Sequence, residues 1–97
     1  MSLENYPLPL NPIKPNPNVL SRRVGDEVVL FHLETDKFYE LNGTAARFWE
    51  LLAAESDVNR ICEQMLNEFE VNGQQMRAEA GSLIASFQRE KLVTSHA

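Results

Sequence analysis

The chain has 97 residues, enough for one domain around a single core and too few for two. Its 43% hydrophobic and 24% charged content excludes a disordered chain, and no apolar run approaches the roughly 18 residues that span a bilayer. The formal net charge of −5 disfavours nucleic-acid and anionic-membrane surfaces, and the single cysteine, Cys62, excludes an internal disulfide and a zinc site of four cysteines. With no basic region followed by a hydrophobic signal segment at the N-terminus, the expected setting is cytoplasmic.

All five prolines lie between Pro7 and Pro17, and residues 1–18 read as a proline-rich arm, either a disordered tail or an extended segment partly docked through Tyr6, Leu8, Leu10 or Ile13. Residues 19–97 form the domain. Val19 to Val24 predicts a first strand. Gly25-Asp26 is a turn signal before the β-rich run Glu27 to Leu33, in which Val28, Leu30 and His32 share one face and Val29, Phe31 and Leu33 the other. With both faces covered, this is the central strand. Thr35-Asp36 then turns into a third strand, Lys37 to Leu41, left as an edge.

That strand must end where a helix begins. Asn42 is the expected N-cap, Gly43, Thr44 and Ala45 the first turn, and Ala45, Phe48, Trp49 and Leu52 the apolar face. Ser56 offers a hydroxyl cap for a second helix, whose Val58, Ile61, Cys62, Met65, Leu66 and Phe69 recur at intervals of three and four. Asn72 with Gln75 resembles a capping box for a third, with Met76, Ala80, Leu83, Ile84 and Phe87 on its buried face. Leu92 and Val93 are expected to return to the sheet or the first helix. Three antiparallel strands followed by three helices describe an α+β, winged helix-turn-helix-like domain.

Little in the chain builds a catalytic centre. There is no glycine-rich phosphate loop, nucleophile elbow or HExxH sequence. His32 has no second His or Cys at metal-binding spacing, so no metal site is expected and His32 reads as a packed strand residue. Asp26-Glu27 and Glu68 with Glu70 read as solvated turn and helix-end acids, and Cys62 as a core residue. The expectation is a protein that is not an enzyme and needs no cofactor.

Tyr39-Glu40-Leu41-Asn42, followed by Thr44-Ala45 and Phe48-Trp49, resembles the PqqD-like family of leader-peptide binding domains, also called RiPP recognition elements. The resemblance extends from Val19 to Val93. It implies an accessory protein that binds the leader of a ribosomally made precursor peptide and presents it to a modifying enzyme, which in pyrroloquinoline quinone (PQQ) biosynthesis is a radical SAM protein. The second hairpin lacks the proline-containing apolar stretch associated with the quinone pathway, which leaves PQQ and other natural-product pathways open. Glu79 stands where the family usually has Asp, and Ala80 where it has a larger branched residue.

The resemblance places the peptide between the third strand and the third helix, as an added strand. Ordering six peptide residues costs about 6–12 kcal/mol and five hydrogen bonds return only about 3–7 net. Two or three buried apolar side chains, at about 1.5–3 kcal/mol each, must close the gap. The candidate peptide-binding residues are Phe38, Tyr39 and Leu41 on the strand and Ala80, Leu83, Ile84 and Phe87 on the helix, with Lys37, Glu40, Arg77 and Glu79 setting orientation by charge. A DNA-binding winged helix is the rival, but Arg77, Arg89 and Lys91 are offset by Glu79 and Glu90. A scaffolding module that binds a partner protein through the same edge is a third reading, and an open edge also allows a homodimer.

Overall fold

The computed structural model describes residues 12–95. In chain order they form β1 (Ile13–Pro15), β2 (Val19–Val24), β3 (Glu27–His32), β4 (Phe38–Asn42), α1 (Gly43–Ala54), α2 (Val58–Glu68), α3 (Gly73–Arg89) and β5 (Val93–Ser95). An antiparallel meander runs β2-β3-β4, so β3 is central and β4 is an edge. Three strands followed by three helices is the α+β arrangement expected from the sequence.

Turn chemistry sets both hairpins. Val24 pairs with Glu27, leaving Gly25 and Asp26 as a two-residue loop with Gly25 at φ 63°. A positive φ at the first central position is the type II′ choice, whose twist matches that of the flanking strands. The second loop is longer. His32 N–H donates to the Lys37 carbonyl at 3.0 Å, Asp36 N–H donates to the His32 carbonyl at 2.8 Å, and Asp36 adopts φ 59°. Asp is among the residues that tolerate this left-handed region.

Along β3 the alternation is strict. Val28, Leu30 and His32 are buried against the helices, while Glu27, Val29 and Phe31 are only half-buried on the outer face. His32 is fully enclosed. Its Nε2–H donates to the Lys91 carbonyl at 3.0 Å and its Nδ1 accepts from Glu34 N–H at 3.2 Å, so both ring nitrogens are satisfied in one tautomer. The Lys91 carbonyl also accepts from Asn16 Nδ2 at 2.8 Å. One carbonyl thereby ties the end of β3, the turn after α3 and the chain before β2.

The helices bury faces close to those expected, although Leu66, Phe69 and Leu83 are only half-buried, and one cap also shifts. In α1 the buried residues are Ala46, Phe48, Trp49 and Leu52, so Ala46 takes the place expected for Ala45. Asn42 is the N-cap residue of α1 but makes no side-chain cap, and Gly43 at φ 54° turns the chain from strand to helix. In α2 the cap is Asp57, not Ser56: Asp57 Oδ1 accepts from Asn59 N–H at 3.0 Å, and a carboxylate there also complements the helix dipole. Asn72 caps α3 as expected, accepting from Gln75 N–H at 2.7 Å. The far end of α3 closes in a Schellman motif: Lys91 sits at φ 59°, with Leu92 N–H on the Phe87 carbonyl at 2.8 Å and Lys91 N–H on the Gln88 carbonyl at 3.1 Å. Buried Leu92 and Phe87 make the apolar pair of that motif.

Leu92 and Val93 do not join the three-stranded sheet. Val93 to Ser95 pair antiparallel with Ile13 to Pro15, residues read from the sequence as part of the arm. Ile13 is 0% exposed and sits in the main core, and Asn16 N–H continues the link to the Leu92 carbonyl at 2.8 Å. Burying one Ile returns about 1.5–3 kcal/mol, which together with the ladder bonds orders this short strand. The other docking residues named in the arm, Tyr6, Leu8 and Leu10, lie outside the described residues.

Two surface ion-pair systems brace the helices. Arg23 bonds Glu50 at 2.6 Å, joining β2 to α1, and Arg47 bonds Glu68 at 2.7 Å, joining α1 to α2. No helix among the described residues is long and apolar enough to cross a membrane.

Candidate functional site

The phase of the β3–β4 ladder decides which groups β4 offers outward. His32 and Lys37 are a hydrogen-bonded pair, and in an antiparallel ladder such pairs alternate with pairs whose amides point away. Tyr39 opposite Leu30 and Leu41 opposite Val28 therefore bond to β3. Phe38 and Glu40 turn their backbone N–H and C=O groups to the open edge and Asn42 its N–H, while the Asn42 carbonyl, at the N-cap, opens the hydrogen bonding of α1. Side chains alternate too: Tyr39 and Leu41 lie half-buried on the helix side, and Phe38, Glu40 and Asn42 lie exposed on the other.

Beside the end of β4 is a cleft of about 390 Å³ lined by Asn42, Gly43, Thr44, Ala45, Glu79, Ser82 and Leu83. Its volume falls in the range of about 300–1,000 Å³ usual for ligand sites. The facing stripe of α3 runs from Glu79 through Ser82, Leu83 and Ser86 to Glu90, a progression of three- and four-residue steps. At the far end Tyr39 O–H donates to Glu90 Oε1 at 2.8 Å. Pairing with Glu90 raises the Tyr39 phenol above its ordinary value, with burial as a lesser cause. Strand and helix thus run antiparallel, with the cleft at one end and the Tyr39–Glu90 bond at the other.

The structure brings together only part of the expected set. Tyr39, Leu41, Glu79 and Leu83 flank the groove. Ala80, Ile84 and Phe87 are buried at 0–3% exposure in the core, where Phe87 meets Trp49 edge-on at 5.4 Å. Their spacing from Met76 belongs to the face packed inward, one step round from the groove stripe, so their side chains support the groove from behind. Arg77 turns toward α2 and donates to Asn59 Oδ1 at 3.1 Å. Phe38 and Glu40 stand on the outer face of the sheet, and Lys37 is exposed where β4 begins. Residues not singled out for the site now line it: Asn42 to Ala45 and Ser82. Steps of three and four from Glu79 are the signal that finds Ser82 and Leu83 together.

The groove wall is more polar than expected, with Leu83 as the apolar residue of α3 that lines the cleft. Glu79 and Glu40 make no ion pair among the described residues, whereas Arg23 and Arg47 are committed to Glu50 and Glu68. Such a wall does not suit a phosphate backbone. Among the described residues no three His, Cys, Asp or Glu side chains converge to hold a metal. Burial pushes the Cys62 thiol up, the opposite of an activated nucleophile.

Two solved structures resemble this fold. The one described as TbiB1 in complex with the TbiA(beta) leader peptide matches at a TM-score of 0.82 and 25% identity, covering 87% of this chain and 98% of that one. Another, lasso peptide synthetase B1 complexed with the leader peptide, matches at 0.77 and 17% identity, covering 84% and 96%. No curated protein sequence matches the chain. The family model for coenzyme PQQ synthesis protein D matches residues 27–93, which takes in β3 and β4 of the meander, all three helices and the first residue of β5. The open edge, the antiparallel helix beside it and this match agree: the chain belongs to the PqqD family.

Proposed function

We propose that this protein is an accessory binder of leader peptides: it takes the leader of a ribosomally made precursor as an extra strand on β4 and presents it to a modifying enzyme. The observation that carries this reading is the edge of β4, unpaired among the described residues, with the backbone N–H and C=O of Phe38 and Glu40 and the N–H of Asn42 turned outward beside the cleft. An extended peptide satisfies those groups in the way that strand addition requires. The two solved structures of similar fold are each described as a complex with a leader peptide, which supports the same occupant.

No catalytic step is assigned to the chain. Its role is to hold and orient a peptide, with the chemistry left to the partner enzyme, and membership of the PqqD family makes a radical SAM protein one candidate for that partner. The polar stripe of α3, with Glu79 and Glu90, argues against the DNA-binding alternative.

Synthetic leaders from precursor genes that neighbour this one supply the test, titrated into ¹⁵N-labelled protein. Strand addition predicts that the Phe38, Glu40 and Asn42 amides shift and exchange more slowly with solvent. Tight binding that leaves these three amides unmoved would put the site elsewhere.

A further inference from the structure

The outer face of the sheet carries a row of apolar side chains that ends abruptly at β4. Leu20 on β2 is opposite Phe31 on β3, and Phe31 is opposite Phe38 on β4. The Phe31 and Phe38 rings lie 4.6 Å apart. Beyond Phe38 the described residues place no further strand, and its side chain is 70% exposed. Two residues on, Glu40 occupies the same face and has no ion-pair partner among the described residues. The basic residue in its cross-strand row is Arg22, which Val29 separates from it. That places Arg22 two strand spacings away, about 9–10 Å. Lys37, the nearest cation in sequence, alternates onto the other face.

We propose that the sheet's outer face reads the leader as well as the groove does: the added strand carries a large apolar side chain beside Phe38 and, two residues along on the same face, a Lys or Arg beside Glu40. The inference rests on strand addition at β4 and goes beyond it to the sequence of the occupant. Directly opposed side chains on one sheet face have their Cβ atoms about 4.5–5.5 Å apart, close enough for an apolar residue to cover the open side of the Phe38 ring. The apolar contact that the groove supplies sparingly, through Leu83, Tyr39 and Leu41, is completed on this second face. On the groove side Glu79 also lacks an ion pair among the described residues, so each face of the incoming strand meets an acid. The spacing does not depend on strand direction. A parallel or an antiparallel peptide has the two residues separated by two, in one order or the other.

The test pans a phage-displayed library of random dodecapeptides against the full 97-residue chain and against Phe38→Thr and Glu40→Lys variants. Selected peptides are sorted by whether they slow exchange of the Glu40 amide. Those that do should share a large apolar residue and a Lys or Arg two positions apart. Phe38→Thr should weaken them about two- to fivefold, and Glu40→Lys should exchange the selected cation for Asp or Glu. Circular dichroism verifies that both variants, altered only at exposed positions, remain folded. Peptides that protect Glu40 but lack the spacing, or ignore both substitutions, overturn this inference and leave strand addition standing. If no selected peptide protects β4, strand addition falls and the inference with it.

Discussion

Glu40→Pro and Tyr39→Pro put the same ring on adjacent residues of β4 and should have opposite consequences. The Tyr39 amide bonds to the Leu30 carbonyl side of the ladder, and its phenol holds Glu90. Proline there removes the ladder bond, leaves the Leu30 carbonyl between the strands unpaired and loses the phenol contact, a destabilisation of about 3–6 kcal/mol. Glu40 turns its amide outward and its side chain is exposed, so proline should change stability by no more than about 1 kcal/mol in the free protein. A bound peptide would instead face a missing donor. One of its carbonyls would be desolvated without a partner, at about 1–3 kcal/mol, which weakens binding about five- to 150-fold. Urea unfolding gives the first quantity and calorimetry with a leader peptide the second. Equal destabilisation by the two prolines would show that the ladder phase is misassigned, and unchanged peptide affinity in Glu40→Pro would show that this edge takes no strand.

Other substitutions probe what holds the site in place. Ile13→Ala should cost about 2–5 kcal/mol in urea unfolding, as an emptied core position does; a loss below about 1 kcal/mol would mean that β1 is not part of the stable fold. The Glu68 carboxylate is held down at about 2, chiefly by Arg47 and then by Gln64. A carboxylate lowered in the folded state contributes stability that is whole above its ordinary value of 4.5 and is lost as pH falls through about 2. Glu68→Gln should therefore flatten the acid limb of the stability curve, and an unchanged limb would remove this brace from the account. Cys62 is buried with its thiol raised, so it should stay inert to a thiol reagent until urea unfolds the chain. Fast labelling of native protein would show that α2 opens locally.

The meander and the helices were legible because their signals are local. Gly25-Asp26 marks a turn, Val28, Leu30 and His32 repeat every second residue, and Met76, Ala80, Ile84 and Phe87 recur at helical steps. The β1–β5 pairing was not legible, because Ile-Lys-Pro and Val-Thr-Ser are too short to show a period and pair across nearly the whole chain. The site was half legible. Tyr39 and Phe38 are neighbours in a strand and must face opposite ways, yet both are aromatic, so only the register reveals that Tyr39 turns toward α3. On α3 the groove stripe and the core stripe are one residue apart. Composition favoured the apolar one, which the core had already claimed.

Because Ile13 pairs with Ser95 and Pro15 with Val93, the first strand made among the described residues has its partner in the last of them. The slot for Ile13 stays open through most of synthesis, and an apolar residue waits in water until the C-terminal strand emerges. A contact spanning so many residues closes late and slowly. The meander and its open edge are complete in sequence long before then, so a peptide-competent sheet can form first while β1 and β5 fasten the fold afterwards.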